Sequence, residues 1–220
     1  VCWKRDGHGA VDFITGMSQS CDVYFYALGG GYEEGGVNNG GLGIELIHQY
    51  SRWLGYNQST GIELPAESQG LIPNRDWKRL NIGENWSTGD TYIASIGQGY
   101  VLATPLQVLN SFTPFINGGA LIQPTIIREV LDGEGKVMLP FEPRVIHQTP
   151  LKHSVIDIVS NGLRQVMIDG TGERLEKIEG LELAGKTGTA QVGGGENHAW
   201  FAGYYPWDNP RYSVAVFCEN

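Results

Sequence analysis

The feature that most constrains this chain is its last forty residues. "LELAGKTGTAQV" alternates apolar and polar positions with the period of a strand. "HAWFAGYYP" and "RYSVAVFC" follow, both rich in β-branched and aromatic residues. The run Gly193–Gly195 separates the first pair, and "WDNP" separates the second. Short turns between such runs predict an antiparallel meander. The segment Gly180–Thr187 also fits G-x-x-x-x-G-K-[ST], the phosphate-cradling loop. That loop needs a buried strand before its first glycine and a helix after its lysine. Here "GERLEKIE" precedes Gly180 and is polar, while "TGTAQVGGG" follows Lys186 and resists a helix. Glu182 would also set a negative charge beside the phosphates. The nucleotide reading is therefore rejected.

Upstream the pattern changes. Residues 11–19 carry apolar positions at helical spacing, and Ser20 or Asp22 can cap a second helix. Gly29 to Gly43 reads as a loop. Residues 44–55 form an amphipathic helix stopped by Gly55. Residues 56–95, rich in turn formers, are expected to be a long irregular surface excursion. Thr104 as N-cap and Pro105 at the first helical position open a helix running toward Gly118, kinked at Pro114. "PTIIREVLDGEGKVML" predicts two strands about an Asp-Gly turn, and residues 154–169 predict a helix. Residues 1–180 are thus mainly helix and loop, and 181–220 antiparallel strands. The fold class expected is α/β in the α+β sense: an antiparallel sheet flanked by helices, with a helical subdomain.

Composition excludes some functions. In 220 residues, Asp+Glu number 24 against 15 Lys+Arg, a net charge of −9, with no basic run. Such a chain is a poor match for a phosphate backbone, so nucleic acid is not an expected partner. Cys2, Cys21 and Cys218 are widely spaced, and the five histidines show no ligand spacing. A metal site therefore has no support from spacing, and no cofactor is expected. The aromatic cluster Tyr24, Phe25 and Tyr26, with Trp200 and Phe201, reads as core packing. The glycines at 97 and 99 are too few for a dinucleotide fingerprint.

Lys-Thr-Gly at 186–188 carries chemistry if it lies on a strand. Lys186 offers an ammonium to a substrate carboxylate, and the hydroxyl of Thr187 offers a second donor. On a flat strand Lys186 and Gly188 share a face and Thr187 faces the other; twist near an edge can bring Thr187 round. Gly188 lets an extended peptide lie close and pair with the strand. The backbone N–H of Thr189 can point at a developing oxyanion. Alone, the tripeptide favours the plainer reading of an ordinary surface lysine on a glycine-containing strand.

It is not alone. In chain order come "WKRDGHG" (3–9), "SQSCDVYFYALG" (18–29), "GIELPAE" (61–67), "IGQGYVLATPLQV" (96–108), "INGG" (116–119), "DGTGERL" (169–175), "AGKTGTAQ" (184–191) and "HAWFAGYYP" (198–206). In these motifs and their order the chain resembles the penicillin-binding protein transpeptidases, and within them the elongation-type group called penicillin-binding protein 2. The resemblance implies a peptidoglycan D,D-transpeptidase working through a serine ester, with stem peptides as substrates, β-lactam antibiotics as trapping mimics, and cell-wall elongation or division proteins as partners. It implies a place outside the cytoplasm, held by an N-terminal membrane segment absent from this sequence.

Residue by residue, Ser20-Cys21-Asp22 resembles the family's second motif, usually written S-x-N. The resemblance makes Ser20 a proton relay toward the leaving amine. Asp22 departs from the commoner Asn and, when ionised, only accepts hydrogen bonds. Taken alone, both residues would read as helix caps. Lys186, Thr187, Gly188 and Thr189 resemble the third motif. The first motif, Ser-x-x-Lys, does not occur: no serine here is followed three positions later by lysine. The sequence also lacks an initiator Met and stops within a strand-like run. It is therefore expected to be the later part of a transpeptidase domain, with the nucleophile upstream and a sheet-covering helix downstream. Two other readings stay open, a β-lactamase-like hydrolase or β-lactam sensor, and a non-catalytic module of the same fold.

Overall fold

The computed structural model describes residues 2–219. The meander is present as a three-stranded antiparallel sheet. Its strands are β7 (Ala184–Ala190), β8 (His198–Tyr205) and β9 (Tyr212–Cys218). β7 runs against β8 from Ala184↔Tyr204 to Ala190↔His198, and β8 against β9 from Ala199↔Cys218 to Tyr205↔Tyr212. A strand at 184–190, with no helix after it among the described residues, rules out the phosphate loop on geometry as well.

The long helix α8 (His153–Asp169) packs on β7 and carries the core. Leu163 meets Ala184 and Tyr204, and Val166 and Met167 meet Leu183. Tyr204 is 1% exposed, and Val166 and Met167 are fully enclosed. Burials of this size are worth about 2 kcal/mol per side chain, which makes α8 and β7 one unit. α1 (Phe13–Ser18) also packs on α8, Met17 joining the same core, and its start is capped by Asp12 Oδ1 accepting from Thr15 N at 2.8 Å. α9 (Glu173–Glu176) follows α8, and Arg164 grips Glu176 with both guanidinium nitrogens at 2.6 and 2.7 Å. The same guanidinium donates to Leu183 O at 2.9 Å, fixing the entry to β7.

The second part is helical. α2 (Asp22–Gly30) packs against α5 (Thr88–Ser95) and α3 (Gly43–Trp53). At the α2–α5 crossing, a Cβ on Gly29 would sit 1.8 Å from Ser95 Oγ, so only glycine allows the approach. The expected loop after α2 contains a small hairpin, β1 (Tyr32–Glu34) with β2 (Val37–Asn39). The expected irregular excursion at 56–95 needs correction, because α4 (Arg75–Asn81) and α5 both lie within it. Asn74 caps α4 through Trp77 N, and Ser87 with Asp90 forms a capping box on α5. Lys78 on α4 ties the two helices, donating to both oxygens of Asp90 at 2.8 and 3.0 Å.

The helix expected from Thr104 is two pieces, α6 (Pro105–Asn110) and α7 (Thr113–Ile116). Pro114 lacks an N–H and cannot continue α6, so it occupies the first turn of a new helix instead. Thr104 and Pro105 stand where the capping signal placed them. The remaining strands make two two-stranded sheets, β3 (Ala120–Ile122) with β6 (Val145–Gln148), and β4 (Glu129–Leu131) with β5 (Val137–Pro140). The second is the predicted Asp-Gly hairpin, with Asp132 Oδ1 accepting from Glu134 N and Lys136 N.

Candidate active site

The sheet and the helical part meet along a groove of about 800 Å³. Ser20, Asp22, Lys186, Thr187, Gly188 and Thr189 all line it. The decisive contact joins residues 166 positions apart: Lys186 Nζ donates to Ser20 Oγ at 2.9 Å.

Lys186 is placed by β7, whose register against β8 sets Lys186 opposite Ala202. Its ammonium bonds Ser20 and also Thr187 O, at 2.9 Å. Burial lowers its pKa to about 8, and the nearby Asp22 carboxylate opposes that shift without cancelling it. At neutral pH it remains mostly an ammonium, yet one that gives up its proton far more readily than a surface lysine.

Ser20 is placed by a break between two helices. Its φ is +51°, in the left-handed region that a residue with a Cβ rarely adopts. Ser20 N donates to Met17 O at 3.1 Å, and Cys21 N donates to Gly16 O at 2.8 Å. Trp3 clamps the turn from outside. Its indole N–H donates to Ser20 O at 3.0 Å and Gln19 O at 3.2 Å, and its backbone N–H donates to Asp22 Oδ2 at 3.2 Å. The N-cap of α2 is Cys21, which makes no side-chain cap, so neither Ser20 nor Asp22 is the capping residue. Asp22 lies in the first turn, where its charge suits the helix dipole. A non-glycine residue held at positive φ, with its hydroxyl on a half-buried amine, is the kind of strain that gathers at functional sites.

Thr187 lines the groove alongside Lys186. Its Oγ1 lies 2.5 Å from Thr171 Oγ1, and Thr171 N donates to Ser18 O at 3.1 Å. Thr189 and Gly188 are exposed along the outer edge of β7. Gln98 reaches that edge from the helical side, its Nε2 donating to Thr189 O at 2.9 Å. Phe25 and Tyr26 line the groove and are only half-buried, which corrects the core reading for that cluster. Trp200 and Phe217 line a neighbouring apolar cavity of about 490 Å³.

Beside the groove the fold gathers three candidate ligands that spacing had not linked. One ligand atom from each of Cys2, His8 and Cys21 lies within 4.8 Å of the others. Cys2 Sγ is 3.4 Å from His8 Nδ1, and both cysteines are free and buried. Burial pushes the Cys21 thiol up. Two thiols and an imidazole are a donor set that can hold a soft divalent ion. Gly7 and Gly9, with φ near +70°, fold the loop that returns His8 to Cys2.

The arrangement can anchor an anion, relay a proton through a hydroxyl and pair with an extended chain. The chain as a whole resembles known proteins. The family described as the penicillin binding protein transpeptidase domain matches residues 2–220. The peptidoglycan D,D-transpeptidase MrdA of Haemophilus influenzae is 34% identical over 99% of this chain, which spans 34% of that relative's length. The structure of Pseudomonas aeruginosa PBP2 in complex with WCK 5153 superposes with a TM-score of 0.85, at 33% identity, covering 100% of this chain and 47% of that one. A complex between PBP2 and MreC from Helicobacter pylori gives a TM-score of 0.79 at 30% identity, covering 98% and 37%.

Proposed function

This chain belongs to the penicillin-binding protein transpeptidase domain family, and we propose that it supplies the leaving-group and substrate-edge half of a peptidoglycan D,D-transpeptidase. The observation that carries the reading is the 2.9 Å hydrogen bond between Lys186 Nζ and Ser20 Oγ. The reaction is acyl transfer through a serine ester. The acyl-accepting serine comes from a Ser-x-x-Lys motif in a part of the protein outside these 220 residues. A D-alanyl-D-alanine stem peptide lies along the outer edge of β7, pairing with it as an added strand. Lys186 and Thr187 hold its terminal carboxylate. Thr189 N–H points at the oxyanion that forms as the serine attacks.

Ser20 Oγ passes a proton to the departing D-alanine amine and is replenished from Lys186. With a pKa near 8, Lys186 is matched to proton transfer near neutral pH. Asp22 keeps a negative charge close to that ammonium. An amine from a neighbouring stem peptide then resolves the ester, and β-lactams mimic the donor and stop at the acyl-enzyme. The setting is outside the cytoplasm, on a protein held to the membrane elsewhere in its chain. Among the described residues no helix is long and apolar enough to cross a membrane. A cell-wall synthesis complex is the expected partner, as the solved PBP2–MreC complex suggests by analogy.

The test uses fluorescent penicillin on the full-length protein. Lys186→Ala slows covalent labelling, and unchanged labelling would contradict the assigned roles. The 220-residue chain alone takes up no covalent label; a labelled band would mean the nucleophile lies within it.

A further inference from the structure

The turn that carries Gln98 has no part in the reaction as written above, yet it is built with care. α5 ends in a paired cap. Gly97 N donates to Ala94 O at 3.0 Å, and Gln98 N donates to Ile93 O at 3.1 Å. These are the two bonds of a Schellman motif, with Gly97 in the left-handed conformation at φ +74°. Gly99 is left-handed too, at φ +72°, and a Cβ there would sit 2.9 Å from Ile93 Cγ2. The backbone of Gln98 is thereby fixed, and its carboxamide is delivered to Thr189 O across the groove.

Thr189 lies on an edge strand. β7 pairs with β8 on one side, and among the described residues no strand pairs on its other side. In an extended strand the N–H and C=O of one residue point to the same side, and residues two apart share that direction. Thr187 and Thr189 therefore present their backbone groups to the groove together. Both of these outward carbonyls are occupied. Lys186 Nζ holds Thr187 O at 2.9 Å, and Gln98 Nε2 holds Thr189 O at 2.9 Å. A peptide pairing with this edge must donate an N–H to the acceptor that Gln98 now fills.

We propose that Gln98 is a removable stand-in for the donor peptide's amide, capping Thr189 O while the groove is empty and competing with every ligand that uses that carbonyl. The proposal rests on the D,D-transpeptidase reading. A ligand that brings an N–H to this position exchanges one amide hydrogen bond for another, so its gain on binding is small. A ligand that makes no call on Thr189 O leaves Gln98 in place.

The test compares two β-lactams of the same ring system on the full-length protein, one with an acylamino N–H on its side chain and one without. The variant is Gln98→Met, which keeps the length of the side chain and lacks the donor. Stopped-flow acylation separates the dissociation constant of the initial complex from the acylation rate constant. In Gln98→Met the acylamino ligand binds about fivefold tighter, because the lost competitor was one hydrogen bond. Its acylation rate constant stays within about twofold, and the ligand lacking the N–H is unchanged within about twofold. Equal dissociation constants in wild type and variant would overturn the proposal. So would a large fall in the acylation constant with binding unmoved, which would make Gln98 a brace for β7. If the wild-type protein takes no label at all, the transpeptidase reading falls and the stand-in, left without a ligand, falls with it.

Discussion

The two walls of the groove are built on opposite principles. Lys186 stands on a strand whose register is repeated along the full length of β7. A slip of one residue there would turn every side chain to the wrong face, so the pairing itself locates the ammonium. Ser20 stands at a single irregular residue between α1 and α2, at φ +51°, held by local bonds and by Trp3. On one wall, position comes from periodicity and chemistry from one side chain. On the other, position and chemistry reside in the same few residues. Substitutions should therefore separate function from stability on the sheet wall and entangle them on the helical wall.

The largest expected effect is on the sheet wall. Lys186→Met should lower acylation by about 100-fold, the scale of losing a charge-assisted contact made in the transition state. It should also stabilise the fold near neutral pH. Burial lowers the lysine from its ordinary 10.5 to about 8, so the folded state carries the cost of a desolvated ammonium whenever pH is below 8. Between 8 and 10.5 the unfolded chain binds the proton and the folded chain does not, so this cost is relieved as pH rises. The stability gap between Lys186→Met and wild type should be on the order of 1–3 kcal/mol at pH 7 and shrink across that window, as read by urea denaturation. The acylation rate of the wild type should run the other way and fall as pH passes about 8. A variant less stable than wild type at pH 7 would erase the contrast between the walls.

How much of this was legible follows the same division. The meander showed itself through alternation and glycine-rich separators, because a sheet with one buried face must repeat its pattern. The hairpin about Asp132 and the capped start at Thr104 were also readable, since each rests on a local rule. α4 and α5 were hidden behind Gly, Asn and Ser between 56 and 95, although Asn74 and Ser87 carried capping signals. The pairing of Ser20 with Lys186 had no local trace; only the order of motifs implied it. Cys2, His8 and Cys21 escaped because loop closure, not spacing, brings them together. Gln98 escaped because it acts on a backbone carbonyl, which any sequence can offer.

On the helical wall, Ser20→Ala and Ser20→Gly remove the same hydroxyl and should lower acylation alike, by up to about 100-fold, the lower end of what a positioned proton relay contributes. They should differ in stability. Alanine keeps the Cβ that disfavours positive φ, and glycine relieves it, so the glycine variant should be more stable by about 1 kcal/mol. Equal unfolding midpoints would mean that the turn holds no strain.

The smallest effect tests the clamp. Trp3→Phe keeps a ring that can meet His8 edge-on, now at 5.3 Å between centroids, and deletes the indole N–H shared by Gln19 O and Ser20 O. Trp3 is 58% exposed, so water can replace both bonds, and the cost in stability should stay under about 1 kcal/mol. Acylation should nonetheless fall by about two- to fivefold, because the deleted donor fixes the carbonyl of the very residue whose hydroxyl must meet Lys186. The equivalent loss on the sheet wall, one exposed contact at the rim of β9, should leave acylation unmoved, since the ladder through β8 already sets β7 in place. If both kinds of change proved equally harmless, Ser20 would be held by its own backbone alone, and the helical wall would be as self-sufficient as the sheet.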